Sequence, residues 1–191
     1  MRILKTLSGY EVEQLPNIAF RLMSFVISIR DLLFPASKRL DRFGIRQGFY
    51  VVDFGCGPGS YIERASQLVG DRGKVYAVDV HPLAIRSIER KSKQAKLQNV
   101  VPLLSTGYSV DIESRSVDVI YALDMFHHIK DTNRFFAELH RILKQNGSLF
   151  IESGHQSIDE ARTKILNSEH WAIYNEERNL FECRPNGHGN A

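Results

Sequence analysis

Hydrophobic and polar positions along this chain follow two periods, and the periods take turns. Nearly continuous apolar runs occupy 49–54, 74–80, 99–104, 116–123 and 148–152. Runs this short, bounded by glycine or polar turns, predict buried strands. Between them the apolar residues recur every three or four positions. Tyr61, Ile62, Ala65 and Leu68 do so over 60–69, and Leu83, Ile85, Ile88 and Ala95 over 82–97. Phe135, Phe136, Leu139, Ile142 and Leu143 do so over 131–144. Each stripe predicts a helix with one buried face. Residues 70–73 read as a turn. Pro82 suits the first position of its helix, and Asn146-Gly147 predicts the end of the third.

The order is strand, helix, strand, helix, strand, strand, helix, strand. It predicts an α/β fold, Rossmann-like and doubly wound, with a mostly parallel sheet covered on both faces. No helical pattern fills 105–115, so the crossover there must be brief. Further on, 158–166 reads as a helix, and 171–174 and 180–183 as strands flanking the polar stretch 175–179. That hairpin adds an antiparallel edge and brings the sheet to seven strands. Residues 186–191 read as a frayed tail.

Ahead of the first strand, Ile18, Leu22, Phe25, Ile29 and Leu32 form one helical stripe, and Arg21, Ser24, Ser28 and Asp31 another. Phe20, Met23, Val26, Ile27 and Leu33 widen the apolar face, and Pro35 ends the helix.

Composition narrows the class. With 191 residues, 43% hydrophobic and 25% charged, the chain suits one globular domain with a small appendage. The net charge of +3 comes without a run of like charges. Arg86, Arg90, Lys91, Lys93 and Lys96 share one helix, which reads as a solvated face, so no nucleic-acid partner is expected. The two cysteines, Cys56 and Cys183, form no disulfide framework, so a reducing cytoplasm fits. The seven histidines lack metal-ligand spacing, and no metal is expected. No signal peptide is evident. The stretch 18–34 carries Arg21, Arg30 and Asp31, too charged for a stable membrane span but open to peripheral contact.

The chemistry starts at Asp53-Phe54-Gly55-Cys56-Gly57-Pro58-Gly59. A strand ending in spaced glycines before a helix lets backbone approach a ligand closely. In dinucleotide enzymes the helix end faces a pyrophosphate and a third glycine follows. Here that sixth position is Ser60, and Asp53 would repel phosphates. An acid there suits an ammonium or a sulfonium. Asp79 ends the second predicted strand about twenty residues after the loop, where a carboxylate can accept both hydroxyls of a ribose. Its simpler reading is a cap for the Pro82 helix, and both roles can coexist.

With these features the chain resembles the class I S-adenosylmethionine-dependent methyltransferases, in particular the small methyltransferase-11/25-like members. The resemblance covers about 49–152. The loop with Asp53 matches the first family motif and Asp79 the second. Ser116-Val117-Asp118-Val119-Ile120 resembles the fourth strand, and Leu123-Asp124-Met125-Phe126-His127-His128-Ile129 the segment after it. Leu139-x-Arg141-Ile142-Leu143-Lys144-x-x-Gly147 resembles the helix and turn before the fifth strand.

The resemblance implies S-adenosyl-L-methionine as cofactor. Gly55, Gly57 and Gly59, with Cys56 between them, would lie against its methionine and ribose. Asp53 would hold the amino group, directly or through water, and Asp79 the ribose. Val80 would pack on the adenine, and the Leu123 carbonyl would accept from the ammonium. The family often carries an acid after its third strand for the adenine amine. Here that place falls at Thr106, a weaker acceptor, with Asp111 five residues late.

Methyl transfer from a sulfonium is an in-line displacement. Positioning can supply up to about 7–11 kcal/mol of the barrier, and a base is needed only if the acceptor loses a proton. His127 and His128 are the base candidates, more simply read as one packing or capping residue and one exposed residue. Tyr61 is expected near the methionine end, and Tyr10 could sit on a lid. Residues 1–48 are expected as a helical lid or extension, 49–185 as the methyltransferase domain and 186–191 as the tail. The wide apolar face of the lid helix could line a greasy acceptor pocket, or simply pack on neighbouring helices. The expected acceptor is a small molecule, apolar ones included. A non-catalytic cofactor-binding module of the same fold and a nicotinamide-dependent oxidoreductase are the alternatives.

Overall fold

The computed structural model describes residues 3–5, 11–13, 16–33 and 36–186, the first two segments and positions 28, 32, 36 and 37 by backbone alone. Tyr10 and most of the expected tail lie outside the described residues. The chain order is β1 (Ile3–Lys5), β2 (Glu11–Glu13), α1 (Asn17–Leu33), β3 (Tyr50–Phe54), α2 (Ile62–Val69), β4 (Lys74–Asp79), α3 (Pro82–Ala95), β5 (Val100–Leu104) and β6 (Val117–Ala122). Then come α4 (Thr132–Ile142), β7 (Leu143–Glu152), α5 (Ile158–Leu166), β8 (Trp171–Glu177) and β9 (Leu180–Pro185). Tight 3₁₀ segments cover Ala36–Arg42 and Phe126–His128. β1 and β2 form a small antiparallel pair that the hydrophobic pattern does not announce.

The main sheet has seven strands in the order β5-β4-β3-β6-β7-β9-β8. The five on the β5 side run parallel, β9 runs antiparallel to β7, and β8, antiparallel to β9, returns to the direction of the five. The expected class therefore stands: a doubly wound α/β sheet closed at one edge by a hairpin. The winding reverses between β3 and β6. At such a switch point the connections leave in opposite directions and open a crevice beyond the strand ends.

Two apolar layers flank the sheet. On one face Ile120, Ala122 and Ile151 pack with Phe135, Phe136 and Leu139 of α4 and with Trp171. On the other, Val51, Val119 and Tyr121 pack with Ala65 and Val69 of α2 and with Leu40 and Phe43. Phe43 stacks on Phe150 at 4.1 Å.

Two boundaries differ from expectation. Asn146-Gly147 does not close α4. The chain turns extended at Leu143, which already pairs with Val117, so β7 begins there and carries the irregularity before Ser148. The hairpin turn is Arg178-Asn179 rather than 175–179, because Arg178 adopts φ 54° and lets β8 run on to Glu177.

The crossover after β5 holds no helix among the described residues. It is a loop clamped by α4: Val110 N–H donates to Glu138 at 2.8 Å, and Arg141 donates to the Val110 and Ile112 carbonyls. Its side chains Val110 and Ile112 are buried in place of a helix.

Candidate active site

The crevice at the switch point is built from the ends of β3, β4, β6 and β7. β3 delivers Asp53 and the glycine loop. The Gly55 and Cys56 N–H groups both donate to the Val78 carbonyl, which pins the loop against β4.

The three glycines of the loop serve different ends. A Cβ at Gly55 would meet Met125, and one at Gly59 would press into Ile88 of α3 at 2.7 Å. Those two allow close packing within the protein. A Cβ at Gly57 would meet nothing within 4 Å, so Gly57, at φ 50°, leaves open space beside it. Cys56 does not present its thiol to the crevice. Its side chain is buried with Ile62, Ala77 and Ile88, and burial, with Asp53 and Asp79 near, pushes the thiol pKa well up.

Asp53 is 2% exposed, and its Oδ2 has no hydrogen-bond partner. Burial, reinforced by Asp79, holds its pKa well above the carboxylate norm. Beside it in register on β6 stands Tyr121, whose buried hydroxyl also lacks a partner. Burial first, then Asp53, pushes the Tyr121 pKa up. Two unsatisfied buried polar groups thus stand on neighbouring strands, where a water or a polar ligand would satisfy them. Tyr121 escaped the sequence reading; its signal was a hydroxyl-bearing aromatic inside an otherwise apolar strand.

Asp79 spends its carboxylate on the loop. One oxygen accepts from Gly57 N–H at 2.9 Å and the other from His81 N–H at 2.8 Å. The Val80 N–H also acts on this carboxylate, which has about four acceptor sites in all and so keeps room for one further donor. Burial outweighs these bonds and raises its pKa. Asp79 is not the cap of α3. That role falls to His81, whose Nδ1 accepts from Leu83 N–H at 3.1 Å while its ring stacks on Phe20 of α1 at 4.2 Å. Val80 is half-buried beside Asp79, and Thr106 is exposed beyond β5, bridged to Ser109.

At the β6 end Leu123 is buried, and Asp124 follows at φ 57°, a left-handed conformation rare outside glycine. His127 and His128 come next. His127 packs on His128 and His155 with centroids at 3.9 and 4.7 Å, and its Nδ1 is buried without a partner beneath Gly154. Burial first, then the other two imidazoles, lowers its pKa, so the ring is neutral at pH 7. His128 is exposed. Neither caps α4, because Asp131 accepts from Arg134 N–H there.

Across the crevice Arg39 makes a bidentate pair with Glu152, at 3.1 and 3.2 Å, and Asn179 also donates to Glu152. Tyr61 sits beside Arg39; burial lifts its pKa to about 12.

The helix α1 lies otherwise than its apolar stripe suggests. Among its described side chains Phe20 alone is buried, whereas Ile18, Leu22, Phe25 and Ile29 are exposed. Of the exposed stripe residues, Phe25 borders a hollow between α1 and α3, and the Phe20 side of the helix makes the buried contact. Among the described residues no cluster of acids, histidines and cysteines could hold a metal, and no helix is long and apolar enough to cross a membrane.

Comparison with known proteins agrees with this geometry. Residues 52–151 match the family described as "Methyltransferase domain". A solved S-adenosylmethionine-dependent methyltransferase from Aquifex aeolicus is 25% identical, with a TM-score of 0.76 over 90% of this chain and 98% of that one. A TehB-like methyltransferase from Corynebacterium glutamicum, 13% identical, shares the fold at TM-score 0.69 over 89% and 99% of the two chains. Geranyl diphosphate C-methyltransferase from Streptomyces coelicolor, crystallised with S-adenosyl-L-homocysteine, shares it at 17% identity and TM-score 0.61 over 71% and 56%. An uncharacterised protein of a Streptomyces fradiae transposon is 26% identical over 113 residues, 59% of this chain and 32% of that protein. The chain spans about a third of that relative's length.

The chain belongs to the class I S-adenosylmethionine-dependent methyltransferase family. Its cofactor is therefore S-adenosylmethionine, not a nicotinamide. The residues fit that group: a buried Asp53 oxygen lacks a partner, and Gly57, held by Asp79 in the same loop, has open space beside it.

Proposed function

We propose that this chain is an active methyltransferase that transfers the methyl group of S-adenosylmethionine in line to a small molecule, apolar ones included. The unpartnered Asp53 oxygen at the floor of the glycine loop carries the reading. A buried carboxylate oxygen with no donor suits the cofactor's ammonium. Asp79 takes the ribose with its remaining acceptor capacity, and its grip on Gly57 keeps the loop shaped for it. Gly55 and Gly59 hold the loop in register from behind, with the Cys56 backbone between them. Val80 packs on the adenine, Thr106 accepts from its amine, and the Leu123 carbonyl faces the ammonium.

Bound there, the cofactor supplies an electrophilic methyl on a sulfonium. The chain's own task is to position the acceptor and exclude water. If the acceptor loses a proton, His127 in its neutral form is the better placed base, with His128 second. The domain limits of 49–185, with 1–48 as an extension, and a cytoplasmic setting belong to the same reading.

Calorimetry with S-adenosylmethionine tests the first step and a labelled-methyl acceptor screen the second. Absence of binding at millimolar cofactor would reject the proposal. Binding without transfer to any acceptor would favour a non-catalytic binding module.

A further inference from the structure

The exposed stripe on α1 has no role in the site above. Ile18, Leu22, Phe25, Val26, Ile29 and Leu33 are between 45% and 83% exposed. At 3.6 residues per turn they fall within an arc of about 100°. Arg21 borders the arc on one side and Arg30 on the other. On the Arg21 side, a cavity of about 520 Å³ opens between α1 and α3. Phe25 and Pro58 line it together with Arg21, Arg86, Arg90 and Lys91. Lys91 is committed to the Gly59 carbonyl at 3.0 Å. Among the described residues Arg21, Arg86 and Arg90 make no ion pair. Phe25 belongs to both features, so the apolar stripe runs directly into the cationic hollow.

We infer that this face docks on an anionic lipid surface. The helix α1 lies in the interface with its stripe among the acyl chains, and Arg21, Arg86 and Arg90 meet headgroup phosphates. An apolar arc edged by arginines is what such a helix needs. A second copy of this chain is disfavoured as the occupant, because pairing across α1 would bring two hollows of the same sign together. Nucleic acid would satisfy the arginines but leave the stripe in water. The docking does not depend on which acceptor is methylated.

Sedimentation of the full chain with lipid vesicles tests this. The protein should bind equimolar phosphatidylcholine and phosphatidylglycerol vesicles at low salt, release at high salt, and ignore pure phosphatidylcholine. Leu22→Glu with Phe25→Glu should abolish binding. Arg86→Glu with Arg90→Glu should lower the partition constant at least about tenfold. All four side chains are outside the core, so the melting midpoint of each variant should stay near that of the parent. No binding to anionic vesicles overturns the inference. So does binding that survives the Leu22 and Phe25 changes. A parent dimer that those changes dissociate in sedimentation equilibrium would assign the stripe to a second copy, and binding to oligonucleotide but not vesicles would assign the hollow to nucleic acid.

Discussion

At the scale of single residues, the glycine loop separates groups that look alike in sequence. Gly57→Ala places a methyl in open space at φ 50° and should cost only about 1–2 kcal/mol of stability. Its larger effect should be on cofactor affinity, because the Gly57 N–H is held by Asp79, the proposed ribose acceptor. Gly59→Ala adds a clash with Ile88 to the strain of φ 85°, and overpacking of this kind costs about 1–3 kcal/mol more. Urea unfolding paired with calorimetry distinguishes them: one variant should keep its fold and lose affinity, the other should lose stability first. Asp79→Ala should weaken S-adenosylmethionine at least about tenfold, near 1.4 kcal/mol. An unchanged affinity would mean that Asp79 only shapes the loop through Gly57 and His81.

At the scale of elements, the loop after β5 makes the clearest claim. Glu138 accepts from Val110 N–H, and Arg141 holds two carbonyls of the same loop. Burial tends to raise the Glu138 pKa, but Arg141 and the Val110 N–H outweigh it, and the net value lies below 4.5. A depressed carboxylate adds stability above its unfolded value that is lost as pH falls through the folded one. Glu138→Ala leaves the Val110 N–H without its acceptor and should cost about 1–3 kcal/mol, read by urea unfolding near neutral pH. In acid the difference from the parent should shrink. The strands and helices that frame the site were legible because each buries a face whose period shows in the sequence. Asp53, Asp79 and the loop were legible because they fall at strand ends. The clamp on 105–115 was not, since hydrogen bonds from α4 carry no local period. The partner of α1 was not legible either. Periodicity reveals an apolar face but not which side of the helix meets the protein, and a single ring, Phe20 on His81, decides that here. The cap at His81 was hidden behind the more usual capping candidate Asp79.

At the scale of the whole molecule, two buried acids tie stability to pH. Asp53 and Asp79 both have folded pKa values above the ordinary 3.8, chiefly through burial. Below about pH 4 they are protonated in folded and unfolded chains alike, and their contribution is fully present. As pH rises, the unfolded chain releases protons that the folded chain keeps, so stability is lost until the folded values are passed. Without added cofactor, the melting temperature should therefore carry a falling component from mildly acidic to neutral pH. Asp53→Asn should remove part of that fall. The cofactor's positive groups favour the ionised carboxyls, so saturating S-adenosylmethionine should flatten it. At one hundred times its Kd the cofactor should also add about 2.7 kcal/mol. The same coupling predicts that binding expels protons. Calorimetry in two buffers of different ionisation enthalpy should give heats that differ, and the difference should shrink in Asp53→Asn. Equal heats in both buffers across the mildly acidic range would mean that Asp53 is already ionised before the cofactor arrives. The unpartnered oxygen at the floor of the loop would then need another cation to explain it.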